Sequence, residues 1–381
     1  MRFTYFAPLA IGSTALLLLQ PVAAGADAPA DQVRATPGGV TALPLTAERR
    51  STTAEHTLTA QSTKPFSMVG VSWDDPAVRL AGTVQVRTRD AGTGHWSGWL
   101  DLSTDADDRP DEPTGRGSTA PLWVGPSNGV AVRVRGDGHP LPAGLRVELV
   151  DPGSSPAADQ ALPVAGGAGS ADRTLPTVDH PGPRPGIVTR SGWGADESIR
   201  EPGYVYTGTV KAVFVHHTDT ANNYACTDSA KIIRSIYLYH VQSNGWRDIG
   251  YNFLVDRCGT IFEGRAGGVI QPVLGAHTLG FNTDTSGVAA IGSFGSASAP
   301  QAQQDGIVKI AAWKLGLTDQ DAAGSTTLVS ASDGSRYKKG TSVSFKTISG
   351  HRDAFATECP GDTLYNRLGD IRTRAAQLQG R

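Results

Sequence analysis

Residues 210–217 read VKAVFVHH. Apart from Lys211 the first six positions are apolar, with β-branched and aromatic side chains on both alternating sets. Such a run predicts a short strand buried on both faces. Strands of that kind belong to sheets covered by helices, so the stretch predicts an α/β layer architecture. It ends in two histidines. Neighbours on a strand point to opposite faces, so His216 and His217 cannot easily serve one site together.

Downstream, the texture fits that architecture. Thr227 or Asp228 caps a helix that carries Ile232, Ile236 and Tyr239 on one face and stops at Asn244-Gly245. Residues 252–256 and 260–263 predict two strands joined by a hairpin through Arg257-Cys258-Gly259. Residues 288–294 and 346–349 predict further strands, and 303–317 and 362–378 predict helices with an apolar side each. The whole of 187–381 is expected to be an α/β domain with a central mixed sheet flanked by helices.

Upstream, residues 151–186 are rich in Pro, Gly, Ala and Ser and predict a linker. Before it, residues 61–150 alternate. Val84, Val86 and Thr88, then Val130, Val132 and Val134, then Leu145, Val147 and Leu149 interleave with polar residues. Period two broken by Gly, Asp and Pro predicts a small all-β, sandwich-like domain. Its Trp73, Trp96, Trp99 and Trp123 read as core packing, with stacking on sugar rings as the alternative. Residues 27–60 show no sustained apolar period and are expected to be a flexible lead. Residues 1–26 combine Arg2, an uncharged apolar run and small residues ending at Ala24 and Ala26, the pattern of a cleaved signal peptide. No Cys follows that run, which argues against a lipid anchor, and no second run is long enough to cross a bilayer. A secreted or wall-associated protein is expected.

With 381 residues the chain holds two domains with real cores. A formal net charge of -2 gives no global pull toward nucleic acid or anionic lipid. Nothing calls for an obligate assembly, so a monomer is expected. The three cysteines, Cys226, Cys258 and Cys359, suggest one disulfide and one thiol with other work, with three pairings open.

The candidate chemistry sits at strand ends. His216 and His217 close one strand, His351 in SGHRD closes another, and Cys359 follows in ECPGD. Two imidazoles and a thiolate suit zinc and leave the fourth tetrahedral position open, as a catalytic zinc needs. The plainer reading is a pair of hydrogen-bonded strand-end histidines, since the His-to-Cys spacing matches no named metal motif.

Five motifs occur in order: FVHHT (214–218), GWRDIGYNFLVD (245–256), GTIFEGR (259–265), GAHTLGFN (275–282) and SGHRDAFATECPGD (349–362). Together they resemble the family of peptidoglycan recognition proteins and phage lysozyme-type N-acetylmuramoyl-L-alanine amidases. The nearest pattern is that of secreted actinobacterial amidases, which carry a similar β-rich N-terminal region. The resemblance covers roughly 187–381. It implies His216, His351 and Cys359 as zinc ligands and Tyr251 and Thr357 as catalytic residues. It implies His277 and Asn282, with Trp246 and Arg265, as lining of the substrate groove, and His240 near it. Catalytic members keep the Cys that recognition members commonly replace by Ser. With Cys359 in the zinc motif, Cys226 and Cys258 are left to pair. The implied activity is zinc-dependent cleavage of the bond between N-acetylmuramic acid and L-alanine in peptidoglycan. Recognition without cleavage and a zinc peptidase acting on the stem peptide are the alternatives. One departure stands out: residues 287–294, GVAAIGSF, lack the Glu that some relatives use there.

Overall fold

The computed structural model describes residues 1–4, 35–47, 55–105, 108–111, 115–159 and 178–381. Most of the expected signal segment and residues 160–177 of the expected linker lie outside them. Every element below belongs to one compact unit, Arg34–Arg381.

The alternating runs of the first half form antiparallel strands. Glu55–Trp73 is the spine, pairing with Leu122–Gly136 on one side and Arg146–Asp151 on the other. Gly82–Asp90 and then Leu100–Leu102 extend the sheet beyond Leu122–Gly136. Register shifts between Leu58 and Gln61 and around Phe66 bend the spine. Val84, Val86, Val132 and Val134 thereby share one core with Val71, Val147 and Leu149. Trp73 and Trp123 are buried, as core packing requires, while Trp99 is exposed under the Arg133 guanidinium, 4.1 Å from its ring.

Two boundaries move. Residues 27–60 are not all lead: Gly39–Pro44 pairs with Arg146–Asp151 as an edge strand, Thr46–Ala47 pairs with the spine, and the spine itself begins at Glu55. Pro44 at a strand end disguises the pattern, since proline is tolerated on an edge. The linker ends are also docked. Ala158 is buried, Asp159 forms a 2.6 Å ion pair with Arg234, and His180 Nδ1 lies 3.1 Å from Asp319.

The second half is the expected α/β layer. Its six-stranded mixed sheet runs Ile348–Gly350, Ala212–His217, Thr285–Ala290, Phe253–Val255, Ile261–Glu263, Ile187–Val188. Only Phe253–Val255 against Ile261–Glu263 is antiparallel, the predicted hairpin. The quoted strand is an interior one, next to the edge strand Ile348–Gly350, with all six residues buried. Val213 and Val215 pack with the helices Gln301–Gly316 and Leu368–Leu378, whereas Ala212 and Phe214 pack with Phe281, Leu328 and Phe345. A two-stranded hairpin, Ser325–Val329 with Ser342–Lys346, supplies Leu328 and Phe345. The disulfide is Cys226–Cys258.

Helix Ser229–Leu238 continues as a π turn, Tyr239–Ser243. It is buried on more than one face because both sheets cover it. Ile232, Ile236 and Tyr239 share a core with Leu254 and Ala289 of the second half and with Met68, Trp123 and Val150 of the first. Trp123 N donates to Thr220 Oγ1 at 2.7 Å, and Tyr239 O–H donates to Thr119 O at 3.1 Å. The two halves are packed together.

Candidate active site

Strand alternation sends His216 to the Phe214 side and His217 to the other, where its ring faces Phe294. Ile348–Gly350 runs parallel beside the same strand, with Val213 opposite Ile348 and Val215 opposite Gly350. The next residue on each, His216 and His351, therefore emerge side by side, ring centroids 4.5 Å apart. His351 opens the short helix His351–Ala354, whose first turn is fixed by Gly350 N–H donating to Asp353 Oδ2 at 2.9 Å. Cys359 comes in from the following loop. Its Sγ accepts from His217 N–H at 3.3 Å and lies 3.8 Å from His216 Nδ1. One ligand-type atom from each of His216, His351 and Cys359 lies within 4.8 Å of the others, and all three residues are buried.

The chemistry of this set fits a cation. Burial holds the His216 imidazole down to about 3 and His351 well below its ordinary value, so both are neutral, the form that ligates metal. Burial, with Asp108 adding to it, pushes the Cys359 thiol well up in the absence of a counter-charge. A bound cation would reverse that balance. Among the described residues, both ring nitrogens of His351 are buried without a hydrogen-bond partner. Burying unpartnered polar atoms is costly, and such orphans mark places where a group such as an ion belongs. Two imidazole nitrogens and a thiol are a zinc donor set.

Tyr251 and Thr357 flank the cluster. The Tyr251 ring is 5.6 Å from the His216 ring. Its hydroxyl is pushed well up, by burial first and by Asp108 next, and donates to Asp108 Oδ2 at 2.5 Å. Thr357 Oγ1 accepts from Cys359 N–H at 3.1 Å and donates to Asp105 Oδ2 at 3.0 Å.

The five residues assigned to the substrate groove divide. His277 is not a groove residue: it is fully buried behind His216, its Nδ1 3.2 Å from His216 Nε2 and 2.9 Å from Thr278 Oγ1. A group bonded to the far nitrogen of a ligating imidazole sets its tautomer and orientation. Arg265 is also scaffold. Half-buried, and lowered to about 10 by desolvation, it donates to the carbonyls of Ile249 and Leu274. Asn282 is buried between the two. Its Oδ1 accepts from His277 N–H at 2.7 Å, while its Nδ2 donates to Asp111 Oδ1 at 2.9 Å. Trp246 and His240 stack with centroids 4.4 Å apart, and both border the Tyr251 side of the site. Burial holds His240 at about 3, and its Nδ1 accepts from Gly250 N–H at 3.1 Å.

Asp105, Asp108 and Asp111 went unread in the sequence. All three lie between the strands Leu100–Leu102 and Gly117–Ser118 of the β half, yet Asp108 reaches the cluster and Asp105 and Asp111 reach Thr357 and Asn282. A cavity of about 360 Å³ opens beside them between the halves, walled by Trp73 and Arg79 on one side and Trp246, Leu279 and Phe355 on the other. An acidic run in a turn-rich stretch was the only sequence signal, and a solvated turn is its ordinary meaning.

Comparison with known proteins agrees with this division. Residues 206–362 match the N-acetylmuramoyl-L-alanine amidase family, and residues 26–163 match a family described as Rv3811 N-terminal galactose-binding domain-like. Peptidoglycan-recognition protein SC2 of Drosophila simulans is 31% identical over 184 residues, 48% of this chain and 84% of that protein. The N-acetylmuramoyl-L-alanine amidase of Homo sapiens is 30% identical over 190 residues, which is 28% of its own length. Among solved structures, wild-type Drosophila PGRP-LB aligns with 27% identity and a TM-score of 0.38, over 48% of this chain and 91% of that one.

Proposed function

We propose that this chain, which belongs to the family of peptidoglycan-recognition proteins and N-acetylmuramoyl-L-alanine amidases, hydrolyses the amide between N-acetylmuramic acid and L-alanine with one zinc ion. The observation that carries this reading is the convergence of His216, His351 and Cys359 on one buried point beside the Tyr251 hydroxyl. A binding module has no need of a buried thiol between two neutral imidazoles.

In this reading His216, His351 and Cys359 hold the metal. A zinc ion there supplies Lewis acidity toward the lactyl carbonyl and makes water a nucleophile near neutral pH. His277 keeps the His216 ring in register from behind. Tyr251 donates its hydroxyl proton as a hydrogen bond to the oxygen on which charge develops, from a site that excludes water and so strengthens the bond. Thr357, tied to the Cys359 amide, holds the ligand loop and turns its hydroxyl to the same space. Trp246 and the Asp111-bound amide of Asn282 wall the groove for the sugar and stem peptide. The expected leader places the enzyme outside the cytoplasm, acting on the wall as a monomer. Among the described residues no helix is long and apolar enough to cross a membrane.

Mass spectrometry of muropeptides incubated with the protein tests the reading. Free stem peptides that begin at L-Ala are expected. New amines inside the stem peptide would identify a peptidase instead, and intact muropeptides bound by the protein would identify a recognition module.

A further inference from the structure

The geometry points to Asp108 as a fourth ligand of that metal, delivered by the β half, so that the chain folds with its catalytic position closed. The inference rests on the metal-centre reading above and adds a residue from outside the matched amidase region.

Asp108 Oδ1 stands 2.9 Å from His216 Nδ1 and 3.4 Å from His351 Nδ1. It is buried, and it makes no hydrogen bond to either. A loop that merely packed against the groove would leave its carboxylate in water or bond it to protons, because an orphaned buried carboxylate oxygen is costly. An oxygen set beside one nitrogen of each imidazole supplies the fourth donor that a site of two imidazoles and a thiolate leaves open. The other oxygen, Oδ2, accepts from Tyr251 O–H at 2.5 Å. One carboxylate thus takes both the open metal position and the hydroxyl assigned to the reacting oxygen.

Its neighbours hold it there. Asp105 Oδ2 accepts from Thr357 Oγ1 at 3.0 Å and from Glu358 N–H. Asp111 Oδ1 accepts from Gly280 N–H at 2.5 Å and from Asn282 Nδ2 at 2.9 Å. The Arg109 carbonyl accepts a second contact from Asn282 Nδ2 at 3.2 Å. Three carboxylates from one short stretch are therefore bonded to groups that a substrate would otherwise meet. A closed four-ligand zinc is the structural kind, whereas an open position is the catalytic kind. Substrate turnover then requires Asp108 to leave, and observed activity scales with the fraction of molecules in which it has left.

The test uses the full chain loaded with cobalt, whose visible absorption reports its ligands, and azide as a small competing anion. Parent protein, Asp108→Ala, Asp108→Asn and Asp111→Ala are compared, with muropeptide hydrolysis measured on their zinc forms. Azide is expected to shift the spectrum of both Asp108 variants at concentrations roughly tenfold or more below those needed for the parent, and hydrolysis by Asp108→Ala is expected to rise by a similar factor. Asp111→Ala leaves all four donors in place and is expected to fall between. Equal azide affinity in the parent and the Asp108 variants overturns the proposal. So does a normal cobalt spectrum in Asp108→Ala with hydrolysis lost, which would make Asp108 part of the reaction. If the Asp108 variants fail to fold or to hold cobalt, Asp111→Ala decides, and its matching the parent overturns the proposal. Azide shifts as expected with no hydrolysis by any variant would sink the amidase reading and leave the ligand assignment standing.

Discussion

Replacing Tyr251 by Phe sets two effects against each other. The residue is 3% exposed, so the substitution removes one oxygen and leaves the ring packing against His216 and His240 intact. Loss of a hydroxyl that stabilises the reacting oxygen costs ~10²–10³ in kcat, or about 2.7–4 kcal/mol. The same hydroxyl is bonded to Asp108 Oδ2. A hydrogen bond to a charged group contributes roughly 1.5–3 kcal/mol, so its loss also loosens the closed arrangement and favours turnover. In the parent chain the second effect cancels much of the first. In an Asp108→Ala background nothing remains to be loosened, and the full loss is expected. Initial rates on a muropeptide at saturating zinc, for both singles and the double variant, form a cycle that separates the two effects. The expected outcome is a kcat drop of ~10²–10³ between Asp108→Ala and the double variant with KM nearly constant, and a smaller drop in the parent background. A double variant with kcat within about threefold of Asp108→Ala would refute the assignment of Tyr251 to the reacting oxygen.

Three further outcomes are expected. Replacing both Cys226 and Cys258 by Ala opens a crosslink between residues 32 apart; the chain-entropy model gives about 3–4 kcal/mol of lost stability, readable as a lower urea midpoint. His240 is held near 3 in the fold against an ordinary 6.5. The unfolded chain therefore takes up its proton first on acidification, so the stability His240 contributes is complete above pH 6.5 and is lost as pH falls toward 3. Between pH 6.5 and 4.5 that loss is about 2–3 kcal/mol, and His240→Gln should flatten the acid limb of a stability curve by that amount. His277→Ala should weaken zinc binding by roughly 10–100-fold without removing a ligand, measured by competition with a chromogenic chelator; unchanged affinity would reduce His277 to filler.

What was legible in the sequence was local. The run 210–217 announced a doubly buried strand because both alternating sets are apolar, and the same alternation correctly separated His216 from His217. The hairpin around Cys258 followed from its turn and the helices near 303–317 and 362–378 from their apolar period, although the last is broken in two, Asp362–Tyr365 and Leu368–Leu378. The misses are contacts between segments distant in sequence. His277 sits in a loop motif that suggested groove lining, and only the packing of that loop beneath Ala212–His217 turns it toward His216. Ser325–Val329 and Ser342–Lys346 lack the dense apolar alternation of the core strands, since only Leu328 and Phe345 are buried. Asp108 carries no local mark beyond an acidic, turn-rich stretch whose ordinary meaning is a solvated turn. Its meaning comes from a β half folded against the α/β half, which brings residue 108 to residues 216, 251 and 351.

The central claim is a single-metal amidase built on His216, His351 and Cys359. Its most direct test is a titration of zinc into metal-stripped parent and Asp108→Ala proteins while released stem peptide is counted by mass spectrometry. Peptide beginning at L-Ala should appear in proportion to added zinc and plateau at one ion per chain, with Cys359→Ser silent across the same range. Release before any metal is added, or no release from either protein at full occupancy, would contradict the account.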